Sequence, residues 1–188
     1  MNEVIFILDF ETYKDNLFDV ASAVANCCDK IWFRVKGIDG ATIYNLSKKL
    51  RKQFSSKYLI ISELVDLAVL LKFNAVHLNE NTSKLVYLKK RFQSLDFGYS
   101  AHSISEIKEN GKFDYFTLSP IFFTKKDYKV FPLGALEVKD LNKNIFALGG
   151  INVENVSLLK NKGYKGVAGI SFLSELEDIY KYVKHCGK

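Results

Sequence analysis

The chain reads as an α/β protein, a small (β/α)8 barrel in a single domain over residues 1–188, and three observations point there. Short apolar runs alternate with stretches of helical spacing about eight times, with no linker, low-complexity segment or long repeat between them. The apolar runs are near-continuous, which is the pattern of a parallel sheet buried on both faces. The stretch Asn144 to Ser171 packs strand, helix and strand into so few residues that a right-handed parallel crossover follows. Eight such units close a barrel. An open doubly wound sheet is the alternative.

Taken in order, Val4 to Asp9 (VIFILD) is a compact apolar strand, and Leu17 to Cys27 has helical spacing. Lys30 to Lys36 (KIWFRVK) is the second strand, followed by an amphipathic helix over Thr42 to Phe54 with lysines outside. Tyr58 to Ile61 is the third, running at once into a helix over Glu63 to Leu71. Ala75 to Asn79 is the fourth strand, Ser83 to Phe92 its helix, Asp96 to Ser100 the fifth strand, and Ser105 to Glu109 a short helix. Asp114 to Ser119 is the sixth strand. An irregular piece, Pro120 to Pro132, then leads to a short helical segment over Ala135 to Leu141. Ile145 to Leu148 is the seventh strand; Asn152 caps a helix carrying Val153, Val156 and Leu159, which Gly163 stops. Gly166 to Ser171 is the eighth strand, and Leu173 to Cys186 closes the chain as a helix.

Composition narrows the function classes. At 188 residues and 48% hydrophobic, the chain can bury a sizeable core. No apolar run reaches membrane-spanning length, and the Met-Asn-Glu start lacks the basic flank of a signal peptide, so a cytoplasmic location with no membrane partner is expected. Cys27, Cys28 and Cys186 have no CxxC spacing and an odd count, and read as reduced thiols. The formal charge of +6 comes from scattered lysines and arginines without a nucleic-acid reader motif. An anionic small-molecule substrate accounts for that charge as well as a solvated lysine-rich surface does.

In a barrel, chemistry gathers at the C-terminal ends of the strands, and phosphate often sits beyond strands seven and eight. Gly149-Gly150 after the seventh strand, and Ile170-Ser171 at the end of the eighth, face one another there. Bare N–H groups and a helix N-terminus can hold an anion; a plain turn needing φ > 0 is the other reading of the glycines. Arg34 and Lys36 lie on one side of the second strand, with Val35 opposite, and suit phosphate or pyrophosphate. Ser62-Glu63 and Asn79-Glu80 could supply carboxylates to magnesium, although a Ser-Glu pair more often starts a helix. His102, in the loop after Ser100, suits proton transfer or loop bracing, whereas His77 inside the fourth strand reads as a hydrogen-bonded structural residue. Phe122 and Thr124 pair an apolar wall with a donor, as a flat heterocycle carrying phosphate requires.

These pieces fall into a pattern: Trp32-Phe33-Arg34-Val35-Lys36, Ile61 to Ala68, Ala75-Val76-His77-Leu78, Gly98 to Ser103, Asp114-Tyr115, Ser119 to Thr124, and Ala147 to Ile151. In order and spacing they resemble the thiamine phosphate synthase / TenI superfamily, over about Ile31 to Ser174. The resemblance implies the barrel, a small phosphorylated heterocycle as substrate, and a site in which Ser100, His102, Thr124, Gly149, Gly150 and Ser171 handle a thiazole phosphate. It leaves a homodimer open.

The departures fall on the other half of the family's site. Its synthases join a pyrimidine diphosphate to a thiazole phosphate and expel pyrophosphate, with magnesium on two aspartates. Glu63 holds the first of those positions and Thr82 the second; Trp32 replaces a pyrimidine-reading Gln; and Thr124-Lys125-Lys126-Asp127 displaces a hydroxyl and a lysine. The pattern is closer to the TenI branch, whose thiazole tautomerases move a proton with a His after strand five and need no cofactor. The expectation is therefore a tautomerase with His102 as its acid-base group. The alternatives are a divergent synthase using Mg2+ on Glu63, and a non-catalytic binder of a phosphorylated ligand.

Overall fold

The structure, a computed structural model, describes residues 1–79, 85–124 and 131–186. Eight parallel strands close a barrel in chain order: β1 Glu3–Asp9, β2 Lys30–Arg34, β3 Tyr58–Ser62, β4 Ala75–Leu78, β5 Asp96–Ala101, β6 Tyr115–Leu118, β7 Ile145–Leu148 and β8 Gly166–Gly169. The ring shuts where Val4 of β1 pairs in register with Val167 of β8. Closure removes both sheet edges, so the open-sheet alternative falls away.

Strand alternation divides the core in two. Val4, Phe6 and Leu8 of β1 face the helical layer, with Phe33, Ile61, Phe97 and Phe116 from other strands. Ile5 and Ile7 turn inward and fill the barrel with Trp32, Ile60, Tyr115 and Phe146. Gly98 leaves room for the Tyr115 ring, since a Cβ there would stand 2.1 Å from it. The floor of the barrel is closed by Glu3, 2.7 Å from Lys30 and 3.0 Å from Lys165.

Around the barrel run α1 Phe10–Tyr13, α2 Leu17–Val24, α3 Gly40–Gln53, α4 Val65–Leu70, α5 Leu85–Arg91, α6 Ile104–Glu109 and α7 Leu176–Cys186. Asp39 caps α3 by accepting from Thr42 N at 3.0 Å, and Ser103 caps α6 by accepting from Glu106 N at 3.1 Å. Among the described residues no helix is long and apolar enough to cross a membrane.

Several sequence expectations are corrected. The short helix α1 was not expected; Asp9 supplies its cap, accepting from Thr12 N. The second strand ends at Arg34, which leaves Lys36 exposed in the following loop. The helix after β3 does not begin at a Ser-Glu cap: Ser62 is the last residue of the strand and Glu63 turns at φ +61°. No α-helix forms over Ala135–Leu141 or after Asn152; only 3-10 turns stand there, Lys139–Leu141 and Val156–Leu159. Asn152 and Asn155 instead exchange side-chain hydrogen bonds with each other's N–H at 3.0 Å, which satisfies both ends of a tight turn. The expected start of the helix at Ser83, with Glu80 and Thr82, lies outside the described residues.

Candidate active site at the C-terminal rim

A cavity of about 180 Å3 opens between the ends of β6, β7 and β8. Its wall includes Gly149, Gly150, Ile170, Ser171 and Thr124, so five residues picked from the sequence stand together. After Asn152 only a 3-10 turn forms, so the helix N-terminus expected after β7 is missing, and on that side an anion would meet main-chain N–H groups directly. Among the described residues, no protein acceptor is taken by the N–H groups of Gly150, Ile170 or Ser171. The Thr124 hydroxyl is buried and likewise has no partner among them. A buried hydroxyl left without a partner is costly, and with the N–H groups beside it this wall is suited to an acceptor-rich guest.

Gly150 takes φ +66°, as the turn reading of the glycines requires, and its missing Cβ also makes room for main chain. A Cβ there would sit 2.3 Å from the Phe123 carbonyl oxygen and 2.8 Å from the Phe122 carbonyl carbon. The glycine therefore lets the β6–β7 loop cross close to the end of β7. Phe122 contributes main chain to this arrangement, its N–H donating to Gly149 O at 3.0 Å.

His102 stands exposed beside the cavity. Its Nδ1 lies 2.9 Å from the carbonyl oxygen of Ser119, a residue of the cavity wall. That oxygen can only accept, so Nδ1 carries a proton and donates it there. The neighbouring serines bond elsewhere: Ser100 lies 2.9 Å from His77 Nε2, and Ser103 caps α6. His102 N–H donates to Glu106 at 3.0 Å, which holds the loop.

The other side of the rim is a linked polar network. Arg34 is ion-paired with Asp9, which also accepts from the Thr12 hydroxyl at 2.7 Å. Asp9 is almost fully buried, so the pair fixes the guanidinium at the mouth while part of it stays open. Lower down, His77 is fully buried and stacks on Trp32 with ring centroids 3.9 Å apart. Burial pushes the imidazole down to about 3, so His77 is neutral. Burial also holds the Tyr115 phenol well above its usual range, so its hydroxyl donates to His77 Nδ1 at 3.2 Å. His77 Nε2–H then donates to Ser100 Oγ at 2.9 Å, Ser100 to Asn79 Oδ1 at 3.4 Å, and Asn79 Nδ2 to Glu63 at 2.8 Å. The sequence expectation of a structural His77 agrees with this. Trp32 donates its indole N–H to Ser62 at 2.9 Å.

The residues present fit magnesium thinly. Among the described residues no three His, Cys, Asp or Glu groups gather to hold a metal. Glu63 offers one carboxylate at the end of β3, and Asp9 is committed to Arg34. Magnesium is often held by one or two carboxylates together with substrate phosphates, so Glu63 could serve only with a diphosphate present. Asp9, Tyr13 and Asn79 are the site residues that sequence reasoning passed over. Asp9 ends β1 and Asn79 directly follows β4, so both satisfy the rule that selected the others; Tyr13 sits on an unexpected helix and left no signal.

Comparison with known proteins gives a consistent picture. A family model described as Thiamine monophosphate synthase (TMP-TENI) matches residues 4–173. The chain is 30% identical over 179 residues to a protein of Aquifex aeolicus named "Putative thiamine-phosphate synthase 2", covering 90% of this chain and 96% of that one. It is 36% identical over 141 residues to a thiamine-phosphate synthase of Prochlorococcus marinus, covering 70% of this chain and 39% of that longer protein. A solved thiamine phosphate pyrophosphorylase from Pyrococcus furiosus shares the fold, with a TM-score of 0.81 at 22% identity over 98% of this chain and 96% of that one.

Proposed function

The chain belongs to the thiamine monophosphate synthase (TMP-TENI) family, and from that premise we propose that it joins a thiazole phosphate to a pyrimidine diphosphate, with release of pyrophosphate. The observation that carries the phosphate half is the β6–β8 cavity, where the N–H groups of Gly150, Ile170 and Ser171 and the buried Thr124 hydroxyl have no partner among the described residues. The names of the relatives favour the synthase over the tautomerase that the departures in the sequence had suggested.

In this reading the N–H groups and Thr124 hold the phosphate ester. Arg34, fixed by Asp9, and Lys36 receive the diphosphate and stabilise charge on the leaving pyrophosphate. The His77–Ser100–Asn79 network orients hydroxyl and amide groups between the two halves. Glu63 would hold Mg2+, which supplies further charge neutralisation at the diphosphate. The test is to mix the protein with both substrates and magnesium and measure pyrophosphate. Magnesium-dependent release is expected; its absence at high enzyme concentration would remove the synthase.

One observation favours a second reading, a thiazole tautomerase. His102 is held through Nδ1 to the carbonyl of Ser119, a residue of the cavity wall, and its Nε2, without a partner among the described residues, can take and return a proton. On this reading His102→Asn lowers kcat on the tautomer by roughly 10²–10⁴-fold with ligand affinity little changed, and turnover persists in EDTA. Tautomer kinetics with binding measured separately decide it. A kcat within about threefold of wild type, far short of the expected loss, would return His102 to bracing its loop.

A further inference from the structure

We propose that Tyr13 is a positioning residue of the phosphate cavity: by holding the carbonyl of Ile170, it turns the Ser171 N–H toward the guest, a phosphate monoester. This rests on the assignment of the β6–β8 cavity to a phosphate.

The Tyr13 hydroxyl donates to Ile170 O at 2.5 Å, joining the segment after β1 to the loop after β8. Among the described residues the cis peptide bond is Ser119–Pro120, so the Ile170–Ser171 bond is trans. In a trans peptide the C=O and the following N–H point in opposite directions. The barrel order sets β8 between β1 and β7. A carbonyl drawn toward α1, on the β1 side, therefore leaves the Ser171 N–H directed to the β7 side, where Gly149 and Gly150 line the cavity. That N–H has no protein acceptor among the described residues. Without the phenol, the peptide plane is free to rotate and the donor loses its aim.

The Tyr13 ring is itself well held. It packs on Phe6 with centroids 6.0 Å apart, and Phe6 meets Phe172 at 6.3 Å. Burial, reinforced by Asp9, raises the phenol above its usual value, so it remains a donor. The same segment fixes Arg34 through Asp9, so one short strap after β1 touches both sides of the rim.

The test is titration of the ¹⁵N-labelled protein with inorganic phosphate, followed at backbone amides, for wild type and Tyr13→Phe. The phenylalanine keeps the ring packing on Phe6, and an unchanged unfolding midpoint checks that it does. Wild type is expected to shift the Ser171 and Gly150 amides on phosphate binding. Tyr13→Phe is expected to weaken that binding roughly two- to tenfold, as loss of one orienting hydrogen bond implies, and to lose most of the Ser171 shift. Equal affinity and an equal Ser171 shift in the variant overturn the inference while leaving the phosphate site standing. Absence of any shift at these amides in wild type removes the phosphate site and the inference together.

Discussion

At the scale of single residues, the most telling group is the Thr124 hydroxyl, buried without a partner among the described residues. A hydroxyl left unsatisfied costs about 1–3 kcal/mol, and a ligand oxygen would recover it. Thr124→Val keeps the shape and removes the hydroxyl. The ligand-free protein is therefore expected to gain about 1 kcal/mol in urea unfolding, while affinity for thiazole phosphate falls several-fold. Stability and binding moving in opposite directions is the signature of a donor kept for a guest. A loss of both would mean that the hydroxyl serves the fold. His102, by contrast, is partnered. Its Nδ1 is committed to Ser119, so the ring braces its loop whatever else it does.

At the scale of elements, the turn from β3 to α4 carries local strain. Glu63 adopts φ +61°, a conformation that costs a residue with a Cβ of order 1 kcal/mol or more. α4 gains no side-chain cap in exchange, since Leu64 occupies the cap position. What the turn does achieve is to aim the carboxylate at Asn79, at the end of the Tyr115–His77–Ser100 chain. Glu63→Gly should relieve the backbone and lose the exposed hydrogen bond to Asn79. Chemical denaturation is expected to show stability unchanged or higher by about 1 kcal/mol. Magnesium-dependent pyrophosphate release should fall steeply in the same variant. Clear destabilisation by Glu63→Gly would instead mark the carboxylate as a structural clasp.

At the scale of the whole molecule, the barrel interior imposes a pH dependence. His77 titrates near 6.5 in an unfolded chain and is held down to about 3 in the fold, because burial disfavours the charged ring. The unfolded state thus binds the extra proton first as pH falls. This contribution to stability is complete above pH 6.5 and is lost progressively from there toward the folded value. His77→Gln cannot titrate, so its unfolding free energy should fall less steeply than that of wild type between about pH 6.5 and 4.5. Urea unfolding at a series of pH values measures both slopes; parallel slopes would exclude His77 as the acid-sensitive group.

The sequence by itself determined a parallel α/β sheet of about eight strands and pointed to the barrel. Apolar runs such as Val4 to Leu8 are buried on both faces, but that pattern is shared with an open doubly wound sheet, and the pairing of β1 with β8 decided closure. Gly149, Gly150 and Ser171 were legible because strand ends in a barrel of this order must meet at one rim. Helix boundaries were less legible, because the segments after Asn152 and Ala135 have apolar spacing but end as 3-10 turns held by local polar bonds. Only the tertiary structure decided which partner each polar group takes. Arg34 belongs to Asp9, His102 to Ser119, and Tyr13 to Ile170, 157 positions away. Hydrogen-bond partners are chosen by distance and angle at closure of the ring, and residue spacing along the chain carries no record of either.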